Sequence, residues 1–178
     1  MNIPRYCPDQ SLPPYSYVPG LPAPHPIRDP RGHSFGRQEP TPRPLDESSY
    51  RGNPTYLYAI DLFNHGFYWE AHEAWEALWH AAGRSGGAAD FLKGLIKLAA
   101  AGVKAREGRA AGVRQHAGRA AELFRDVPLA DGLFGLTLSE LIAVAGDIAS
   151  RAEALAGSGG PDAGRMLPIR LELDCNLT

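Results

Sequence analysis

Twelve of the sixteen prolines in this 178-residue chain fall within residues 1–50, and no other feature limits the fold so sharply. Each proline removes a backbone donor, fixes its own φ and pushes the preceding residue toward extended backbone. Steps such as Leu12-Pro13, Ala23-Pro24 and His25-Pro26 therefore exclude a long helix from this stretch. After Pro54 the pattern changes. Apolar side chains recur at helical spacing over residues 55–82, interrupted by one glycine, Gly66, before Gly83, Gly86 and Gly87 turn the chain. The spacing predicts a single helix over 55–82.

A second helix is predicted over 88–107. Phe91, Leu92, Leu95, Leu98, Ala99, Gly102 and Val103 share one face, Lys93, Lys97 and Lys104 share the other, and Gly108 is a stop. A third, over 109–125, is alanine-rich, so Ala117, Ala120, Ala121 and Phe124 can approach a neighbour closely before Pro128. The fourth, 137–156, is announced by Thr137-Leu138-Ser139-Glu140, a capping-box pattern in which hydroxyl and carboxylate each satisfy an orphan amide. Leu167, Ile169, Leu171 and Leu173 alternate, which predicts a short extended segment lying against the helices. The expected architecture is all-α: one bundle of four to five helices over 51–160, a Pro-rich N-terminal strap over 1–50 and an extended C-terminal tail over 161–178.

Eighteen Lys and Arg against twenty Asp and Glu give a formal charge of -2, without the basic excess expected of a nucleic-acid binder. The first twenty residues lack the apolar core of a signal peptide, and no uninterrupted apolar run reaches the length of a membrane span. Cys7 and Cys175 stand near opposite ends, which suits free thiols better than a clustered metal motif or disulfide framework. The expectation is a cytoplasmic protein whose partner is a small molecule or another protein rather than nucleic acid or membrane.

Residues 65–80, HGFYWEAHEAWEALWH, concentrate three tryptophans, three histidines and three glutamates. On a helical wheel with His72 at zero, Glu76 lies at roughly 40° and Glu73 at roughly 100°, while Trp79, Tyr68 and Trp75 flank the other side. His72 and Glu76 are neighbours on successive turns, the spacing at which one helix offers two ligands to one ion. The pattern is similar to that of the zincins, with Glu76 in place of the second histidine. Imidazole and carboxylate are competent ligands for zinc, manganese or iron, and Glu73 or Glu70 can then act as acid or base. Trp75, Trp79 and Tyr68 would wall the ligand pocket and exclude water. The same residues also admit a plainer reading: a hydrogen-bonded His–Glu pair and an aromatic stripe that only fill the interior.

Phe63-Asn64-x-Gly66-x-Tyr68-x-Glu70-x-His72-Glu73-x-Trp75-Glu76-x-x-Trp79, followed by Phe91-Leu92-x-Gly94-Leu95-Ile96-x-Leu98-Ala99, resembles the bacterial and archaeal Domain of Unknown Function 309 family. The resemblance extends over about residues 55–125. It implies an all-helical fold and a motif, met here by His72, Glu76 and Trp79, suggested to bind metal, with no established activity. Lys93 and Lys97 stand where the family favours glutamine. Facing the seam they would repel a cation; facing solvent, as the wheel suggests, they would not bear on it.

The strap is also unlike a flexible linker. It contains Tyr15, Tyr17 and Phe35 and a regular His25-x-x-x-Asp29-x-x-x-His33. One reading lays it over the bundle, with His25, Asp29 and His33 completing the metal site of His72 and Glu76. The other leaves Asp29 and Arg31 capping turns and both histidines solvated. Arg106, Arg109, Arg114, Arg119 and Arg125 form a locally basic stretch suited to a phosphate contact or to an ordinary solvated face.

Overall fold

A computed structural model describes residues 3–128 and 133–174. Among them are six α-helices and no β-strand. They are α1 (Pro54–Asn64), α2 (Tyr68–Ala81), α3 (Gly87–Arg106), α4 (Ala110–Asp126), α5 (Leu138–Ser150) and the short α6 (Ala152–Ala156). The helices pack as a bundle: α3 lies between α2 and α4, and α4 between α3 and α5. Small residues permit the close approaches. A side chain at Gly94 would overlap the Phe124 ring, and one at Gly102 the Tyr68 ring.

The segment expected to be one helix over 55–82 is two. Pro54 starts α1 at a position where its missing N–H is not needed, and the Asn53 side chain accepts from the Tyr56 amide at 3.1 Å. The helix ends at Gly66, whose φ of +81° costs glycine little. The Gly66 amide donates to the Phe63 carbonyl at 2.9 Å and the Phe67 amide to the Leu62 carbonyl at 2.8 Å, the paired bonds of a Schellman cap. The Arg106 guanidinium crowds the space a Cβ would need there. His65 thus closes α1 and is not part of α2. The same closure recurs at Gly83 and Gly108, the stops that the sequence announces.

Two further expectations are corrected. Thr137 is the N-cap of α5, yet its side chain makes no capping bond; its carbonyl accepts from the Leu141 amide at 3.0 Å, so the capping box is not formed. The predicted fourth helix also breaks at Arg151 into α5 and α6.

Residues 3–49 contain neither helix nor strand. Their backbone is received by two buried carboxylates of the bundle: Asp61 accepts from the amides of Tyr6 and Cys7, each at 2.8 Å, and Glu70 from that of Tyr17 at 2.8 Å. The C-terminal segment is held in a similar way. Asn64 both donates to the Leu171 carbonyl and accepts from its amide, each at 2.8 Å, and the Leu167 amide donates to the Tyr68 hydroxyl. Leu167, Leu171 and Leu173 are buried and Ile169 is partly so. Cys7 is a free thiol whose pKa is raised, mainly by burial; Cys175 lies outside the described residues. Among the described residues no helix is long and apolar enough to cross a membrane.

Candidate functional site

Helix α2 divides its residues among three environments. Tyr68, Ala71, Trp75 and Leu78 face the core. Trp75, expected as a pocket wall, is fully buried against Phe63 at 5.7 Å between centroids, and its indole N–H has no hydrogen-bond partner. Tyr68 is equally internal, with the Arg106 guanidinium 5.0 Å from its ring centre. Arg106 is therefore not part of a basic surface. It is buried and holds the Arg165 carbonyl, the Ser16 hydroxyl and the Met166 sulfur. Trp79 alone of the three predicted walls is half-buried, packed on His80 and beneath Arg84.

The second environment gathers His72, Glu73 and Glu76. All three are half-buried, and one ligand atom from each lies within 4.8 Å of the others. His72 Nδ1 is 3.5 Å from a Glu73 oxygen. Residues at i, i+1 and i+4 converge because the helix turns about 100° per residue and the glutamate side chains span the remainder. On α4, His116 is half-buried. Its pKa is lowered, first by burial and then by the positive fields of Lys97, Lys104 and His72, so the neutral imidazole is favoured. Lys97 is only partly exposed, unlike Lys93, which is exposed.

The third environment lies under the strap. Glu70 is buried, its side chain 5% exposed; Oε1 accepts from the Tyr17 amide and lies 3.2 Å from His33 Nε2. Oε2 is buried and has no hydrogen-bond partner. Burial pushes the Glu70 carboxyl up to about 7, and burial followed by the charge of Arg37 pushes His33 down. Both shifts favour a neutral pair. His33 Nδ1 is fixed by Ser34 at 2.9 Å, and its ring edge meets Tyr15. A cavity of about 840 Å³ opens here between the strap and α1–α2.

The strap residues proposed as extra metal ligands do not join His72 and Glu76. His33 goes to Glu70 instead. His25 packs against Trp69 and Tyr17, with Nδ1 3.3 Å from the amides of Ile27 and Arg28. Asp29 is engaged by Arg31 through two side-chain bonds and a backbone bond, the turn-capping alternative. Proline-broken backbone has no helical repeat that would align residues four apart. Asp61 and the unpaired oxygen of Glu70 carried no signal in the sequence, since each sits in an apolar run where a carboxylate reads as solvated.

An all-helical bundle carrying a His–Glu–Glu edge on its second helix defines the class of this protein. Residues 56–115 match the family model described as Domain of unknown function (DUF309). No curated protein matches the sequence.

Proposed function

We propose that the chain binds a divalent cation, zinc, manganese or iron, through His72, Glu73 and Glu76. The observation that carries this reading is the convergence of one imidazole and two carboxylates within 4.8 Å on a half-buried helix edge. The donor set suits these metals, which take imidazole nitrogen and carboxylate oxygen at about 2.0–2.2 Å, so modest rotamer adjustment would close the site. An ion would also relieve the repulsion between neighbouring carboxylates. Glu73, first read as a base, belongs with the ligands in this arrangement.

A bound ion with open positions would supply Lewis acidity and an activated water, the basis of a hydrolytic role. Around it this chain would bind and orient. Glu70, also read as acid or base, is engaged by Tyr17 and His33 beneath the strap.

Elemental analysis of purified protein, with melting temperature measured on adding each metal, tests the proposal. One equivalent of metal and a raised melting temperature are expected; no metal and no shift would remove it. A second reading, in which the cluster only steadies helix packing, draws on the full burial of Trp75 and Tyr68. Glu76→Gln separates the two: metal affinity falls with apo-protein stability nearly unchanged in the first, whereas about 1–3 kcal/mol is lost in the second.

A further inference from the structure

We propose that Ser34, His33 and Glu70 form the nucleophile, base and positioning group of an acyl-transfer site, and that the cavity beneath the strap admits an ester of a small apolar carboxylic acid. The first observation is a chain of contacts. The Ser34 hydroxyl lies 2.9 Å from His33 Nδ1, and His33 Nε2 lies 3.2 Å from Glu70 Oε1. Oε1 already accepts from the Tyr17 amide, so it meets Nε2–H as an acceptor too. That assigns the imidazole proton to Nε2, leaves Nδ1 bare and makes the serine hydroxyl the donor to it. Hydroxyl, base and orienting acceptor then stand in the order that activates a serine. The role of Glu70 is positional and calls for an acceptor rather than a charge.

The second observation is that the base is neutral and held in place. Burial, followed by the charge of Arg37, keeps His33 below its ordinary range, so Nδ1 is free to take a proton. The His33 amide donates to the Tyr15 hydroxyl at 3.3 Å, and the Ser34 amide to the Pro26 carbonyl at 3.0 Å. A side chain at Gly32 would overlap the carbonyls of His25 and Pro26, so this close passage needs glycine. Nucleophile and base are thereby oriented before any substrate arrives.

The third is access. The His33 and Glu70 side chains are 8% and 5% exposed, whereas Ser34 is half-buried and lines the cavity of about 840 Å³, within the range of small-molecule sites. Leu12, Pro13, Tyr58 and Trp69 supply apolar wall for the acyl chain. Arg37 lines the same cavity, and its amide donates to the Ser34 carbonyl at 3.2 Å. Its guanidinium is the cation at hand for a developing oxyanion.

In the reaction, Ser34 Oγ attacks the ester carbonyl carbon as its proton passes to His33 Nδ1. The bond from that carbon to the alkoxy oxygen breaks, and the alcohol leaves with the proton. Water, deprotonated by the same nitrogen, then releases the acid from the acyl-serine and restores the hydroxyl.

The test treats the full chain, in chelator, with an ethyl fluorophosphonate and maps the adduct by mass spectrometry. Hydrolysis of p-nitrophenyl butyrate is followed in parallel, and thermal melting verifies folding. Chelator makes the outcome independent of the proposed metal edge. One phosphonyl group on Ser34 is expected, together with turnover. Ser34→Ala should lose both while melting as the parent does. His33→Gln should slow both by at least about a hundredfold. Glu70→Leu should lower kcat with KM little changed, and Glu70→Gln, whose carbonyl still accepts from Nε2–H, should restore most of it. No adduct on Ser34 in the parent, undiminished hydrolysis in Ser34→Ala, labelling of folded His33→Gln at the parent rate, or an unchanged kcat in Glu70→Leu would overturn the inference.

Discussion

His33 and Glu70, 37 residues apart, meet beneath the strap with Nε2 3.2 Å from Oε1. This contact joins a proline-broken segment to a helix, and burial drives both groups toward their neutral forms.

The first prediction concerns pH. Glu70 is held at about 7 against an ordinary 4.5, chiefly by burial; the amides of Tyr17 and of Glu70 itself and the Arg106 charge pull it down, and Glu73 pushes it up. The folded state therefore keeps a proton that the unfolded chain releases above pH 4.5. The stability this contributes is complete below 4.5 and disappears as pH rises through about 7. Glu70→Gln should flatten that fall and gain stability relative to the parent above pH 7, by at most something on the order of 3 kcal/mol. Urea unfolding in chelator across this range measures it, and parallel curves for the two proteins would contradict the assignment.

Asp61 is the firmer anchor of the strap. It is fully buried, accepts the Tyr6 and Cys7 amides at 2.8 Å, and lies 3.4 Å from Arg5 Nε. Asp61→Ala should cost on the order of 3 kcal/mol, because two charge-assisted bonds are lost and their donors stranded. Limited proteolysis should then cut within residues 3–49 well before the bundle. Unchanged resistance would show that other contacts suffice.

Gly66→Ala tests the break between α1 and α2. The residue would sit at φ +81° with its Cβ against the Arg106 guanidinium. A loss of more than about 1 kcal/mol is expected, larger than for Gly83→Ala, where φ is +72° but the space is open. Equal losses would place the whole effect in the backbone.

Asn64 joins α1 to the C-terminal segment by two bonds to Leu171. Asn64→Ala should cost about 2 kcal/mol and speed hydrogen exchange at Leu171 and Leu173 while sparing α3 and α4. Protection unchanged at Leu171 would show that the leucines alone fix the segment.

Much of the fold was legible because helices announce themselves by period and glycines by position. Gly83 and Gly108 stood at the ends of apolar runs and could be read as stops. Gly66 could not, since the helical spacing of aromatic residues continues past it and the close approach of Arg106 comes from a distant helix. The His72–Glu73–Glu76 edge was legible for the same periodic reason. The pairing of His33 with Glu70 was not, because strap-to-helix contacts have no repeat to betray them; both residues had been singled out, but for different partners. Lys97 was assigned to solvent by the same wheel and is partly exposed.

The bundle grips the strap through main-chain amides, at Tyr6, Cys7 and Tyr17, as well as through side chains such as His33. Attachment and lining are consequently separable tasks. Substitutions among the intervening positions that border the cavity can reshape its walls while those amide contacts keep the segment seated, so the lining is free to diverge faster than the architecture.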